Sequence, residues 1–343
     1  MENNALNDGV FVMSEVKSIR EAFVEASSFL SQSGCNEPQR SAQLLLEHVL
    51  GLSGTAYYMA LADPFPVAVK QAWEAGVTRR GEGEPVQYII GEQEFYGRPF
   101  EVTPDVLIPR PETELLVEAI LRYGAELWPD GQVYGAAPSE TAREDGAAAD
   151  GAAHDGAGGI AARADEGAAA VRAARPLTAV DIGAGSGAIS VTLAAEAPAW
   201  RVCAGDISPA ALAVAARNAS RHGTAVDFRL GDLLEPFAGM ETDILVSNPP
   251  YIPGEDIAGL QREVRDHEPR TALDGGADGL DPYRRMMEQL QLFPAPPRLV
   301  GFELGFGQAE QVAALLEASG HWSEIVTIND LAGIPRHVLG ISR

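Results

Sequence analysis

The sequence predicts an α/β fold in which helices cover a mainly parallel sheet, preceded by a small helical domain and a β-hairpin. Three observations predict it. Apolar runs typical of buried strands alternate with helical patterns after residue 178, apolar residues recur at helical spacing before residue 84, and short β-like runs lie between the two regions. At 343 residues with 46% hydrophobic content, the chain is long enough for two domains with sizeable cores.

Helical periodicity at the N-terminus predicts a small helical domain, residues 1–84. The first helix is expected at residues 16–30, where Gly34 marks its end, and the second at residues 38–50. A third is expected from about 63 to 80, with two arginines that complement its C-terminal dipole. These helices alone indicate no chemistry.

A connector follows, for which we take residues 85–110. Residues 87–90, 94–96 and 100–102 are short β-like runs separated by glycine-containing turns, which predicts a hairpin. Arg110 then lies between two prolines at the end of this connector. It either orients a ligand or locks the junction between the domains.

The third domain, residues 111–343, contains a low-complexity insertion at about residues 135–175. Alanine and glycine make up more than half of this stretch, and large apolar side chains are almost missing from it. Such a composition cannot bury enough surface to offset the entropy of ordering the chain. We expect a mobile surface insertion, with a partner-binding arm as the alternative.

A glycine-rich turn predicts a cofactor site after the strand at residues 178–183. Asp181, Gly183, Gly185 and Gly187 form the pattern Asp-x-Gly-x-Gly-x-Gly, which leads into an apolar helix. Such a turn lets the backbone approach a ligand closely and presents the amides of a helix N-terminus. Because the spacing differs from Gly-x-Gly-x-x-Gly, it argues against a dehydrogenase.

Acidic residues follow the next two strands. Asp206 comes after residues 201–204, where it is placed to accept hydrogen bonds from ribose hydroxyls. Asp232 follows residues 226–230, where its carboxylate or the nearby backbone can meet an adenine amino group. Surface loops contain many aspartates, so one such residue indicates little. The cofactor site is predicted because acidic residues recur at the ends of successive strands.

The segment Asn248-Pro249-Pro250-Tyr251, here called the platform, follows an apolar run at residues 244–246. Two consecutive prolines cannot continue a sheet ladder, so the chain leaves the strand abruptly at the edge where open α/β sheets bind ligands. The Asn248 side-chain oxygen and the Pro249 carbonyl can each accept one N–H, while Tyr251 stacks on the plane. The platform therefore predicts a site for a planar NH2 group. A tight loop with a buried tyrosine is the other interpretation.

Three further strands, at residues 299–304, 324–328 and 337–341, and a helix at 308–318 complete the predicted sheet. Glu303 and His267 are candidate general bases, although we favour structural roles for both.

Taken together, the glycine turn, Asp206 and the platform resemble the cofactor and amino-group sites of class I S-adenosylmethionine-dependent methyltransferases. More narrowly, the chain resembles the protein-(glutamine-N5) methyltransferases that modify peptide chain release factors. The motifs that carry the narrower resemblance are Ile108-Pro109-Arg110-Pro111-Glu112-Thr113-Glu114, His267-Glu268-Pro269 with Ala272-Leu273, Gly276-Ala277-Asp278-Gly279-Leu280, and Glu303-Leu304-Gly305 with Gln308. The insertion and Pro294-Ala295-Pro296-Pro297, where a glycine turn is usual, depart from the family pattern.

The resemblance implies a Rossmann-like mixed sheet of seven strands, a substrate-recognition role for the helical domain, and S-adenosylmethionine as cofactor. The implied reaction is methylation of the side-chain amide nitrogen (N5) of the glutamine in the Gly-Gly-Gln motif of release factors. We assign catalysis to Asn248, Pro249 and Tyr251. Cofactor binding is assigned to Asp181, Gly183, Gly185, Gly187, Asp206, Asp232 and Asn248, and substrate binding to Asn248, Pro249, Pro250, Tyr251 and Arg110.

Composition separates this hypothesis from its rivals. A net charge of −24 argues against an extended surface for bare nucleic acid, which disfavours an adenine N6 or guanine N2 methyltransferase. A non-catalytic S-adenosylmethionine-binding module is the second alternative. Cys35 and Cys203 show no metal or redox spacing, and no stretch resembles a signal peptide or a membrane span. We therefore expect a cytoplasmic, metal-free monomer whose partner is a protein.

Overall fold

The structure, a computed structural model, describes residues 9–15, 18–134 and 174–343, so the predicted insertion lies almost wholly outside the described residues. In the helical domain, the second predicted helix is confirmed at both ends. The third begins later than predicted, since a 3₁₀ turn at Val67–Val69 precedes it. The helices of this region are α1 (Ile19–Gln32), α2 (Pro38–Leu50), α3 (Gly54–Ala60), α4 (Lys70–Gly81) and α5 (Val86–Ile90).

The β-like run predicted at residues 87–90 was wrong, because these residues form α5. Pro85 precedes the helix and Gly91 ends it with a left-handed backbone, φ 83°. Val86 is buried in the core of the helical domain, and Ile89 and Ile90 pack against it. A short apolar run does not distinguish a strand from a helix by periodicity, so packing decided this segment.

The predicted hairpin is confirmed as β1 (Glu92–Phe95) and β2 (Arg98–Glu101), which pair antiparallel. Its turn residues Tyr96 and Gly97 both have positive φ, 52° and 68°. Two positive φ angles are what a two-residue turn of type I′ requires. The chain then enters α6 (Pro111–Leu127), the first helix of the third domain.

The insertion leaves and re-enters the fold at one place. Strand β3 (Gln132–Tyr134) pairs antiparallel with β4 (Ala174–Pro176), and Tyr134 lies opposite Ala174. The sequence did not predict this pair of strands. The strand pair therefore holds the two ends of the insertion, Tyr134 and Ala174, next to each other.

The main sheet has seven strands in the order β10-β11-β9-β8-β5-β6-β7, which confirms the predicted mixed sheet. Neighbours from β9 to β7 run parallel, whereas β11 is antiparallel to both β9 and β10. The strands are β5 (Thr178–Ile182), β6 (Arg201–Asp206), β7 (Val226–Leu230), β8 (Ile244–Ser247), β9 (Leu299–Glu303), β10 (Glu324–Asn329) and β11 (Pro335–Ile341).

Helices cover both faces of the sheet, as continuous apolar strands require. Ile244 and Val246 of β8 point into one core, which α6 and the next helix line, whereas Leu245 points into the other. The helices of this part are α7 (Ala188–Glu196), α8 (Pro209–Arg221), α9 (Arg262–Arg265), α10 (Asp281–Gln289) and α11 (Ala309–Ser319).

The paired ends of the insertion generate a prediction. Replacing residues 135–173 by Asn-Gly gives β3 and β4 a two-residue hairpin turn and shortens the loop that folding must close. We expect the midpoint of thermal unfolding to change by less than about 3 °C. A control deletion of residues 132–176, which also removes the strand pair, should lower the midpoint more. Equal losses in the two variants would contradict the role given to β3 and β4.

Candidate active site

A cavity of about 640 Å³ lies at the carboxyl edge of the parallel strands. Its volume is within the range of small-molecule sites. The ends of β5, β6 and β8 form its floor, the connector at residues 105–110 forms one wall, and residues 269–276 form part of another. This is the edge at which the sequence predicted the site.

The glycine turn, residues 183–187, adopts the backbone that its sequence requires. Gly183, Gly185 and Gly187 have φ values of 77°, 52° and 80°, a region that side chains disfavour. Gly183 and Gly185 line the cavity. Gly187 instead faces α8, since a Cβ there would lie 3.1 Å from the Ala215 Cβ. Two glycines thus open the turn to a ligand and the third lets two helices pack.

Asp206 lies beside this turn at the end of β6 and lines the cavity. Its Oδ2 accepts a hydrogen bond from the Gly185 amide at 2.9 Å, and its Oδ1 accepts one from the Ser208 amide at 2.8 Å. A carboxylate has about four acceptor positions, so two remain for hydroxyl groups of a ligand. The contact with Gly185 also fixes the shape of the glycine turn.

Asp181 lies beneath the turn rather than in the cavity wall. It is fully buried, and its Oδ2 accepts from the Ser190 amide in the first turn of α7 at 3.1 Å, while its Oδ1 has no hydrogen-bond partner among the described residues. Burial raises its pKa to about 7. The contact supports the start of α7 from below, and direct cofactor binding by Asp181 stays a prediction.

Asp232 lines the cavity, but its carboxylate is already engaged. Arg285 of α10 forms an ion pair with it. The next residue, Leu233, also lines the cavity and has a left-handed backbone, φ 48°. A non-glycine residue in this region is strained, and such strain often accompanies a binding site.

Asn248 of the platform is half-buried and lines the cavity next to the glycine turn. Its Nδ2 donates to the Thr113 hydroxyl at 3.2 Å, so the carboxamide is tethered to the first turn of α6. Pro250 also lines the cavity, whereas Pro249 is buried. The structure therefore brings Asn248 and the glycine turn together, as predicted.

Tyr251 points elsewhere. Its ring packs against the core beneath α10 and α11 and is not among the described residues that line the cavity. Burial and the nearby Glu303 carboxylate raise its pKa to about 12, so the phenol is neutral at pH 7. Its carbonyl accepts from the Gln308 side chain at 2.9 Å, which holds the end of the platform. Stacking of Tyr251 on a substrate stays a prediction.

Arg110 lines the cavity and pairs with Glu268 at 2.6 Å. Glu268 is buried, and desolvation raises the pKa of its carboxyl group despite the arginine. The pair links the connector to the segment after α9, which matches the locking role considered for Arg110. Neither Glu303 nor His267 is among the described residues that line the cavity.

The sequence did not reveal the role of two residues that hold predicted site residues in place. Thr113 and Arg285 contact the predicted site residues Asn248 and Asp232, respectively. Thr113 belongs to a motif that carried the family resemblance, which was the available signal. No sequence signal identified Arg285, because its pairing depends on how α10 packs against the sheet.

Within residues 9–15, 18–134 and 174–343, no group of three or more histidine, cysteine, aspartate or glutamate side chains is arranged to hold a metal ion. None of the helices in the described ranges is both long enough and apolar enough to cross a membrane.

Two family models match different parts of the chain. Residues 21–91 match the family model of the PrmC N-terminal domain, and residues 163–265 match the methyltransferase small domain. A structure of the hMettl16 catalytic domain in complex with the MAT2A 3′UTR hairpin 6 has 12% identity and a TM-score of 0.44 over 81% of this chain and 82% of that one, a likeness too low to add to the assignment. The mixed seven-stranded sheet and the matched domain define a class I methyltransferase.

Similarity to curated proteins is closer. Release factor glutamine methyltransferase of Geobacter sulfurreducens is 36% identical over 95% of this chain and 97% of its own length. The protein of the same name from Bacillus subtilis is 38% identical over 95% of this chain and 98% of its own. The chain belongs to the release factor glutamine methyltransferase family, which confirms the resemblance seen in its motifs.

The buried Asp181 generates a prediction for pH. Its folded-state pKa of about 7 exceeds the ordinary value of 3.8, so the folded protein holds a proton that the unfolded chain has lost between these values. The free energy of unfolding therefore loses this contribution as pH rises toward 7. We expect Asp181→Asn to gain stability relative to the wild type between about pH 5 and pH 8, measured by urea unfolding.

An exposed residue without a titratable group serves as the control. Asn329→Ala in β10 should show no such change between the two pH values. A stability difference for Asp181→Asn that stays constant with pH would show that the carboxyl group is ionised throughout.

Proposed function

We propose that this chain transfers a methyl group from S-adenosylmethionine to the side-chain amide nitrogen (N5) of the glutamine in the Gly-Gly-Gln motif of peptide chain release factors. One observation carries the proposal: in a member of the release factor glutamine methyltransferase family, Asn248 lines a cavity beside the glycine turn. A carboxamide there recognises the planar NH2 group of another amide.

The described residues fit the proposed cofactor. Gly183 and Gly185 bring bare backbone to the cavity wall, Asp206 keeps acceptor positions for ribose hydroxyls, and Asp232 and Leu233 line the cavity near the end of β7. When bound, S-adenosylmethionine supplies a methyl group on a positively charged sulfur. The full proposed set is Asp181, Gly183, Gly185, Gly187, Asp206, Asp232 and Asn248.

The platform acts on the substrate amide by position and charge. An amide nitrogen is a poor nucleophile because its lone pair is delocalised into the carbonyl. If the Asn248 oxygen and the Pro249 carbonyl each accept one N–H, they fix the direction of that lone pair and stabilise the positive charge the nitrogen gains as its new bond to carbon forms. The proton is then lost from the nitrogen. Tyr251, Pro250 and Arg110 complete the proposed substrate site.

We extend the proposal to the organisation of the chain. The helical domain, residues 1–84, recognises the release factor, the connector at 85–110 joins it to the cavity, and residues 111–343 carry the chemistry. The ion pair between the buried Arg80 and the half-buried Glu263 supports this division, since it links the helical domain to the third domain. A cytoplasmic monomer that acts on protein rather than nucleic acid fits this proposal.

Labelled S-adenosylmethionine tests the proposed reaction directly. The protein is incubated with the label and a release factor, and in parallel with the variant of that release factor in which the Gly-Gly-Gln glutamine is alanine. We expect label in the former alone. Label in both, or in neither, would contradict the proposed substrate residue.

Asn248→Ala tests the platform. Loss of the acceptor oxygen should lower kcat roughly 10²–10³-fold, the loss typical of removing one such group. Cofactor affinity, measured by calorimetry, should change little because the glycine turn and Asp206 remain. The control Asn329→Ala removes an exposed carboxamide in β10 and should keep full activity. Full turnover by Asn248→Ala would refute the role of the platform.

A further inference from the structure

A chain of side-chain hydrogen bonds runs from the cavity into the core. The Asn248 Nδ2 donates to the Thr113 Oγ1 at 3.2 Å, and that hydroxyl donates to the Glu303 Oε2 at 2.6 Å. Thr113 and Glu303 are 3% and 2% exposed. The three residues come from the platform, the first turn of α6 and the end of β9, so tertiary structure alone joins them.

The order of donors along this chain determines how the Asn248 carboxamide faces. The Thr113 hydroxyl donates its single proton to the Glu303 Oε2, so that proton points away from Asn248. The Thr113 oxygen then offers Asn248 a lone pair and no proton. Only the NH2 end of the carboxamide can satisfy it, which leaves the Asn248 oxygen as the free end of the amide.

The backbone of Glu303 is held at the end of β9, and its carboxylate has few polar neighbours. The Tyr283 hydroxyl donates to the Glu303 backbone carbonyl at 2.7 Å, which fixes the end of β9. The Nε2 of His337 in β11 lies 3.7 Å from the Glu303 Oε2, which is too far for a hydrogen bond. Tyr251 of the platform is also near this carboxylate. Among the described residues, the Thr113 hydroxyl is therefore the only group that forms a hydrogen bond with this carboxylate.

We propose that Thr113 is a positioning residue: held by Glu303, it makes Asn248 present an oxygen rather than an NH2 group to the cavity. This inference deepens the proposed function and rests on it. Without Thr113, the carboxamide can rotate and offer a donor where the substrate N–H needs an acceptor. Thr113 and Glu303, and not the platform alone, therefore determine which end of the Asn248 carboxamide faces the cavity.

Kinetics of Thr113→Val provide the first test. Valine keeps the shape of threonine and removes the hydroxyl, so kcat for release factor methylation should fall roughly 10–100-fold, as expected for a misplaced reacting group. The Kd for S-adenosylmethionine should stay within about twofold, because the glycine turn and Asp206 are unchanged in this variant. Thr113→Ser keeps the hydroxyl and should restore most of kcat.

Thr192→Val is the matched control. Thr192 is a buried threonine of α7 whose hydroxyl has no hydrogen-bond partner among the described residues, so its loss should leave kcat and the unfolding midpoint nearly unchanged. Glu303→Gln is a second variant. Glutamine fills the same space but can donate to Thr113, which allows the order of donors to reverse, and we expect its kcat to fall as well.

Side-chain NMR gives a test that needs no methylation. The NH2 pair of Asn248 in the ¹⁵N-labelled protein is identified by its loss in Asn248→Ala. Thr113→Val should shift this pair and speed its exchange with water, whereas Thr192→Val should leave it unchanged. If the wild type fails to methylate the release factor, the proposed function fails while this measurement still decides the inference.

Four results would overturn the inference. One is an Asn248 NH2 pair that does not move in Thr113→Val. A second is a folded Thr113→Val protein with wild-type kcat, and a third is a loss of kcat that Thr113→Ser fails to restore. A loss of S-adenosylmethionine affinity equal to the loss of kcat would likewise assign Thr113 a general structural role.

Discussion

The parallel pairing of β5 with β8 is the interaction on which the site depends. Ile182 lies opposite Ser247 in the register, and the Ser247 hydroxyl donates to the Ile182 carbonyl at 2.6 Å. The next residues in the two strands, Gly183 and Asn248, must therefore emerge side by side. A Cβ on Gly183 would lie 3.9 Å from the Asn248 carbonyl oxygen. The glycine turn and the platform meet because two strands end in register.

Rigidity beyond the strand comes from groups distant in the sequence. The two prolines restrict the backbone of the platform, the Gln308 side chain holds the Tyr251 carbonyl, and Thr113 holds the Asn248 carboxamide. Glycines pack close behind, since a Cβ on Gly279 would lie 2.2 Å from the Tyr251 carbonyl oxygen. The platform is therefore ordered during folding and not when the substrate binds. Such preorganisation lowers the barrier of the reaction.

Local patterns in the sequence predicted some elements with both of their ends. The strand at residues 226–230 and the second helix were predicted at both ends, because apolar period and end signals agreed there. The run at residues 87–90 was misread because four residues, three of them apolar, are too few to distinguish the two periods. The pair β3–β4 escaped prediction because it joins residues far apart in sequence.

Strand topology explains which of the predicted site residues meet, and packing explains which side chains point elsewhere. Strand ends and glycines indicated that Asn248, Asp206 and Gly183 would meet, since topology alone brings them together. Side-chain roles set by packing could not be derived: Asp181 supports α7 from below, and Tyr251 turns toward the core. The contact between Thr113 and Glu303 spans 190 positions in the sequence, and only the folded chain shows it.

A crystal structure with S-adenosylhomocysteine and a release factor bound is the most direct test of the account. The account predicts the amide nitrogen of the Gly-Gly-Gln glutamine within about 3 Å of the Asn248 side-chain oxygen, a normal hydrogen-bond distance, with the nucleoside against the glycine turn. A glutamine bound away from Asn248, or an Asn248 that points its NH2 group at the substrate, would contradict it.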